Sequence, residues 1–283
     1  MKSRLLHNVI LALLVAGLAL FLLLKPEKAG PQKFRLSELQ AGAVTRLTLA
    51  PTQRETIVVE KQGGEWRMTA PFAARADGNR VLSTLEILQA QSEARLPAKD
   101  LEKFELDQPF VRLKVNEQEF VFGGRQPVSN QIYVATGGHV YLVSPTYLMD
   151  AARGPGDFVS KKLLAEEESP SGFALPGLKL TLKDGSWLRE PDDQKLSADQ
   201  INRYADEWRL ALAMSVDKAS AAKPLERVQV SLAKGKPLDI AVIAREPDVV
   251  LRREDEGLEY RFPRDVGERL LNPLSPPPPA PRH

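Results

Sequence analysis

Two stretches of the sequence repeat one order of residue types: turn glycine, tryptophan, proline, polar helix cap, and a helix with regularly spaced apolar residues. The first is GGEWRMTAPFAARADGNRVLSTLEILQ, and the second is DGSWLREPDDQKLSADQINRYADEWRLAL. Internal similarity of this kind is typical of a repeated structural unit. The chain is therefore predicted to contain two copies of one unit.

Residue spacing predicts the elements of each unit. Short apolar and β-branched runs bounded by glycine or proline indicate strands, and Asp77 and Ser197 are predicted helix caps. We expect an α+β fold of two tandem repeat units, each an antiparallel β-sheet covered by one long α-helix, preceded by a single N-terminal transmembrane helix. The apolar helix faces are Val81, Leu82, Leu85 and Leu88 in the first unit, and Ile201, Tyr204, Ala205, Trp208 and Leu212 in the second.

Composition along the chain suggests five segments. The stretch between the two units is rich in Gly, Pro, Ser and acidic residues and predicts a connector with one helical turn around residues 159–164. The C-terminal stretch NPLSPPPPAPRH predicts disorder or polyproline. The predicted segments are a membrane anchor (1–30), a first sheet-and-helix unit (31–152), a connector (153–177), a second unit (178–271) and a disordered Pro-rich tail (272–283).

The N-terminus predicts attachment to a membrane. Residues Leu5 to Leu24 are predominantly apolar and follow Lys2 and Arg4. This length is close to the roughly 17–25 residues that span a bilayer. A cleaved signal peptide is the alternative, but Lys25 and Pro26 follow the apolar run where a cleavage site needs small residues. We therefore expect a single-pass protein of the bacterial inner membrane.

The orientation of that anchor rests on two opposing signals. Lys25, Lys28, Lys33 and Arg35 follow the apolar run, and this count favours a cytoplasmic C-terminal domain. A short basic segment that leads into an apolar run is also typical of an export signal. We expect the bulk of the chain to be periplasmic.

The motifs between Trp66 and Ala151 resemble a known family. Ala70-Pro71 follows the tryptophan, LEKFELDQP precedes a strand, and QIYVATGGHVYLVSP is a paired hairpin. This order is similar to that of the bacterial family called domain of unknown function 4340, although Glu105 replaces the usual glycine of the turn. The resemblance implies a membrane-anchored, largely extracytoplasmic protein similar to components encoded beside gliding-type ABC transporters, with no established activity.

Few residues suggest catalytic chemistry. The chain contains no cysteine, and its histidines are His7, His139 and His283. A zinc site needs three or four ligands at compatible spacing, and no nucleophile-elbow, P-loop or dinucleotide-binding motif is present. We therefore predict no catalytic, cofactor-binding or metal-binding residue and no cofactor.

Paired carboxylates and tryptophans allow an alternative. Acidic clusters at 166–168, 192–193 and 254–256 could supply the acid and base of a glycan-acting enzyme, although each is predicted in a solvated loop. Trp66 and Trp187 could stack on sugars, but their equivalent positions favour a packing role between sheet and helix.

Three functions follow as hypotheses. The favoured one is a non-catalytic, membrane-anchored binding or scaffolding protein, an auxiliary subunit of an ABC transporter or envelope complex. The alternatives are an envelope glycan-acting enzyme and a structural spacer between membrane and cell wall. Because 39 basic residues nearly balance 37 acidic ones, a nucleic-acid partner is not expected.

Overall fold

A computed structural model of the chain describes residues 32–192 and 196–274, together with Val15 and Gly17. Apart from those two residues, the predicted membrane anchor lies outside the described residues, as does the tail from residue 275 onward. Within the described part of the chain, no helix has both the length and the apolar character needed to cross a membrane.

The first half of the described chain forms a nine-stranded antiparallel sheet and a two-stranded ladder. Its strands are β1 (Phe34–Arg35), β2 (Arg46–Pro51), β3 (Ile57–Gln62), β4 (Glu65–Ala70), β5 (Ala74–Arg75), β6 (Gln91–Ser92), β7 (Arg95–Pro97), β8 (Val111–Val115), β9 (Gln118–Arg125), β10 (Ile132–Thr136) and β11 (His139–Val143). The sheet order is β5-β4-β3-β2-β8-β9-β10-β11-β7, and β1 pairs with β6.

The second half forms an eight-stranded antiparallel sheet with the order β14-β13-β12-β16-β17-β18-β19-β15. Its strands are β12 (Pro170–Leu175), β13 (Leu178–Lys183), β14 (Ser186–Glu190), β15 (Ser215–Lys218), β16 (Glu226–Leu232), β17 (Leu238–Ala244), β18 (Val249–Arg253) and β19 (Leu258–Phe262).

The helices between residues 32 and 274 are short. They are α1 (Gly78–Leu85), α2 (Pro145–Ala151), α3 (Pro155–Phe158), α4 (Ala198–Leu210) and α5 (Arg264–Leu271), with 3-10 turns at Ala41–Ala43, Glu86–Gln89 and Leu101–Phe104. Both predicted caps are present: the Asp77 carboxylate accepts from the backbone N–H of Asn79 and Arg80, and Ser197 forms a capping box with Gln200.

The two sheets have the same topology. If the edge strand β5 is set aside, the first sheet has eight strands from β4 to β7, and the second has eight from β14 to β15. Taken in sheet order, each strand of the first has one counterpart in the second. In sequence, α1 lies between β5 and β6 and α4 lies between β14 and β15, while α2 and α5 follow the last hairpin of each sheet. The repeated phrase in the sequence therefore falls at equivalent places in two sheets of matching strand order.

The predicted α+β fold class is nevertheless wrong. Strands predominate: 41% of the described residues are in strands and 22% in helices. Helix α1 has eight residues and α4 has thirteen. A helix about 10 Å wide covers roughly two strands at about 4.8 Å spacing, so one helix cannot cover a sheet of eight or nine strands. The predicted preceding transmembrane helix is not found among the described residues.

An extended segment joins the two sheets. On one side, Ser160 N donates to Arg75 O and Asp77 N donates to Phe158 O, which extends the edge at β5. On the other side, Leu163 N donates to Ala211 O, just before β15. The helical turn expected at 159–164 is instead α3. The following residues are extended because their backbone groups bond to the β5 edge on one side and to Ala211 and Ala213, just before β15, on the other.

The core of the second half is built around Phe173 on β12. Its ring lies 4.8 Å from the Tyr204 ring, 5.7 Å from that of Trp208 and 6.1 Å from that of Trp187. Strand β12 lies inside the range predicted as a connector, so the sequence did not reveal this central strand. Its residues SGFAL are too mixed with Ser, Gly and Pro to give a clear strand pattern.

Candidate functional site

Two arginines meet a group of acidic residues where the sheets join. We define the junction cluster as Arg75, Glu168, Arg253, Asp255, Glu256 and Tyr260. Arg75 lies on β5 of the first sheet, whereas Arg253 and Tyr260 lie on β18 and β19 of the second. The cluster therefore links residues that are far apart in sequence and belong to different sheets.

Arg253 is the most buried member, with 2% of its side chain exposed. Its Nη1 and Nη2 donate to the two carboxylate oxygens of Glu168 at 2.6 and 2.8 Å. Its Nη2 and Nε donate to Asp255 at 2.6 and 3.1 Å, and Nη1 also donates to Leu163 O at 3.0 Å. This paired geometry is the one in which guanidinium–carboxylate bonds are strongest.

Arg75 bonds across the junction. Its Nε donates to Glu256 Oε1 at 2.7 Å, and its Nη2 donates to Lys162 O at 2.8 Å and to Tyr260 Oη at 3.0 Å. The Tyr260 hydroxyl in turn donates to Glu256. Arg75 thus connects the edge of the first sheet to the joining segment and to a hairpin of the second sheet.

The ion pairs determine how the acidic groups titrate. Burial alone would raise the pKa of Glu168, but the hydrogen bond from Arg253 and the backbone N–H of Ala165 outweigh it and lower that pKa. Asp255 behaves likewise: burial opposes ionisation, and Arg253 reverses the effect and lowers the pKa. Burial and the neighbouring Glu256 raise the pKa of Tyr260. Both carboxyls are therefore held ionised, and the phenol is held neutral.

The structure brings together parts of two predicted acidic clusters. Glu168 from the first and Asp255 and Glu256 from the last share the junction arginines. The outer members point elsewhere: Glu166 pairs with Lys162 at 2.6 Å and Glu254 pairs with Arg227 at 3.2 Å.

The remaining acidic pair and His139 lie apart from the junction. Asp192 pairs with Arg189 at 3.1 Å, and Asp193 lies outside the described residues. His139 Nδ1 lies 3.1 Å from Gly137 O and 3.4 Å from a guanidinium nitrogen of Arg95. Among the described residues, no three His, Asp or Glu side chains are grouped so that they could hold a metal ion.

The pairing of Glu168 and Asp255 with arginine speaks against the glycan-cleavage alternative. A glycosidase needs one carboxyl whose pKa is raised so that it can act as an acid. Glu168 and Asp255 have lowered pKa values and are paired with an arginine that is always charged. The arrangement favours ion pairing over proton transfer.

The two predicted tryptophans are half-buried. Trp66 lies on the same side of β4 as buried Met68, with Lys61 Nζ 5.9 Å from the centre of its ring. Trp187 Nε1 donates to Oδ1 of Asn202, a residue of α4, at 2.9 Å. Both rings pack against the core, while the fully buried tryptophan is Trp208. Packing between sheet and helix is thus only partial at these sites.

Two clefts of similar size lie away from the junction. One has a volume of about 380 Å³ and lies between residues 35–41 and 88–91. We call it the amide cleft because Gln40, Gln89 and Gln91 line it. The other, of about 370 Å³, has mostly apolar walls at the end of α5, where Arg245 is held between Glu226 and Glu268. Neither was predicted, because each combines residues distant in sequence.

The described chain is thus a β protein in which Arg253, its most buried charged side chain, pairs with acidic groups at the junction between its two large sheets. The family model described as "Domain of unknown function (DUF4340)" matches residues 66–234, more than half of the chain, and the chain belongs to this family. The predicted resemblance is confirmed, and the match continues from the first sheet through the joining segment to the end of β16. No curated protein and no solved structure matches the chain.

Proposed function

We propose that the chain is a non-catalytic binding or scaffolding protein of the bacterial inner membrane. In this proposal, residues Leu5 to Leu24 anchor it and the two sheets lie in the periplasm. Its partners are subunits of an ABC transporter or of another envelope complex. The partner class comes from the family resemblance, and the membrane attachment comes from the N-terminal sequence.

One observation supports this proposal above the others: the junction cluster uses its acidic groups to fix one sheet to the other. Arg253 is buried and pairs with Glu168 and Asp255, and Arg75 crosses from the first sheet to Glu256 and Tyr260. A rigid double sheet suits a protein that presents a constant surface to a partner. A general acid needs a carboxyl with a raised pKa, whereas the pKa values of Glu168 and Asp255 are lowered.

Fractionation tests the membrane part of the proposal. The full chain should stay with membranes after carbonate washing, and its N-terminus should be the original methionine. The double variant Leu14→Lys, Leu18→Lys should be released, because each central charge costs about 3 kcal/mol on insertion. The matched control is Leu210→Lys, at an exposed position of α4, which should stay in the membrane fraction. Release of the unaltered chain would contradict the anchor.

Crosslinking tests the partner part. A tagged full chain, crosslinked in intact cells and purified under denaturing conditions, should bring down transporter or envelope subunits. The double variant Leu14→Lys, Leu18→Lys should lose them, because it no longer concentrates at the membrane. Recovery of the chain without any such subunit would contradict the scaffolding proposal and favour the structural spacer, whereas cleavage of cell-wall fragments by the purified chain would favour the enzyme.

A further inference from the structure

The amide cleft is bounded by two chain segments that are fastened to each other. One wall is residues 35–41, and the other is residues 88–91 at the end of the 3-10 turn that follows α1. Leu36 N donates to Ala90 O at 3.2 Å, and Arg35 is the direct cross-strand partner of Gln91 in the β1–β6 ladder. These backbone bonds hold the two walls of the cleft at a fixed distance from each other.

Its first wall is also fixed to the main sheet. Ser37 is buried, and its hydroxyl donates to Gln118 Oε1 on β9 at 2.6 Å. Gln118 Nε2 donates back to Leu36 O at 3.1 Å. These bonds hold the wall in place, so the polar groups at its rim keep a fixed spacing.

The rim offers one positive charge and three carboxamides. Among the described residues that line the cleft, Arg35 alone is charged. Within the described chain, the side chains of Arg35, Gln40, Gln89 and Gln91 make no hydrogen bond or ion pair, and all four are exposed. Residues directly opposite in an antiparallel ladder have Cβ atoms about 5 Å apart, so the side chains of Arg35 and Gln91 leave the backbone side by side.

The chemistry of these groups limits the ligand. A guanidinium is planar and matches a carboxylate with two parallel bonds. A carboxamide both donates and accepts, so three of them suit a ligand with amide N–H and C=O groups. Leu39, Ala41 and Leu88 add an apolar lining. A volume of about 380 Å³ falls within the roughly 300–1,000 Å³ usual for ligand pockets.

From this geometry we infer that the amide cleft binds a short peptide or acylated amino acid through its free carboxylate. Arg35 pairs with the carboxylate, the glutamines bond to the amide groups, and the apolar lining contacts the side chain next to the carboxylate. This role goes beyond the proposed function, since it requires neither the anchor nor a protein partner.

Calorimetric titration of the full-length chain with a matched pair of probes tests the inference. N-acetyl-alanyl-alanine carries the free carboxylate, and its C-terminal amide has the same backbone without the charge. The acid should bind at least about tenfold more tightly than the amide, because hydrogen bonds to charged groups are worth more than neutral ones. Arg35→Gln should remove that preference, and Gln91→Leu should weaken both probes.

Arg67→Gln is the matched control, since Arg67 is exposed on β4 away from the cleft. It should bind both probes as the unaltered chain does, and all variants should melt at the parental temperature because the changed residues are exposed. Equal affinity for acid and amide, an Arg35→Gln variant that keeps the preference, or no heat with either probe at millimolar concentration would overturn the inference. Binding of a sugar acid in place of the peptide acid would overturn its peptide part.

Discussion

Arg75 Nη2 donates to Tyr260 Oη over 3.0 Å, from the edge of the first sheet to a hairpin of the second. Both side chains also contact the Glu256 carboxylate. Burial and Glu256 raise the pKa of Tyr260. The phenol therefore stays protonated and donates a hydrogen bond to the Glu256 carboxylate. The three side chains therefore tie one sheet to the other.

Removing the Arg253 charge should destabilise the protein strongly. Arg253→Met leaves Glu168 and Asp255 without their buried partner, and breaking such a pair costs about 3 kcal/mol or more. Arg46→Met is the matched control, because Arg46 is exposed where it pairs with Glu60, and its loss should cost no more than about 1 kcal/mol. Denaturant unfolding measures both. Adding Glu168→Leu to Arg253→Met should recover part of the loss; equal effects of the two arginine variants would contradict the account.

Acid should weaken the junction. The pKa values of Glu168 and Asp255 are lowered in the folded protein, below ordinary values of about 4.3 and 3.9. Their contribution is therefore fully present above those ordinary values and is lost as pH falls through the lower folded values. Unfolding free energy measured from neutral pH downward should fall in this window, and less steeply for Glu168→Gln. Identical slopes would show that Glu168 stays unpaired in solution.

The tryptophans should differ in their contributions to stability. Trp208 is fully buried and donates to Leu270 O at 3.0 Å, so Trp208→Ala should cost roughly 3–5 kcal/mol. Trp66 and Trp187 are half-buried, and their replacement by alanine should each cost less, roughly 2 kcal/mol. Thermal or denaturant unfolding tests the ranking. If Trp66→Ala and Trp187→Ala unfold like the parent, the two rings have no packing role, and a role in surface binding gains support.

Gly267 should be sensitive to a single added carbon. A Cβ at this position of α5 would lie 2.1 Å from Val249 Cβ on β18, so the helix packs directly against the strand. Gly267→Ala should therefore cost about 1–3 kcal/mol through overpacking. Gly78→Ala on α1 meets no atom within 4 Å and should be neutral or slightly stabilising. Similar melting temperatures for the two variants would contradict this packing.

The sequence predicted local features well because they depend on neighbouring residues. The caps at Asp77 and Ser197 follow from hydrogen bonds within one helical turn, and the family resemblance follows from short motifs. The number of strands in each sheet could not be predicted, because it depends on which strands pair. Strand β12 was missed because its residues do not alternate clearly between apolar and polar. This is why the helices were expected to cover more of the sheets than they do.

One feature of the sequence pointed to the junction cluster, although it did not identify the acidic partners. Arg252 and Arg253 are consecutive arginines inside a strand of otherwise apolar residues, VVLRR, and both are buried. Buried arginines require acidic partners. Arg252 bonds to its cross-strand neighbour Glu259. Arg253 also depends on the joining segment, which places Glu168 beside it, and no local pattern predicts that approach.

Native-state hydrogen exchange tests the central claim, that the junction makes the two sheets one rigid body. The amides of Asp77, Leu163 and Ala213 bond across the joining segment. In the unaltered full chain they should exchange as slowly as amides of the central strands, through global unfolding alone. In the double variant Arg75→Met, Arg253→Met they should exchange faster while the central strands stay protected. Fast exchange of these three amides in the unaltered chain, with both sheets protected, would contradict the claim.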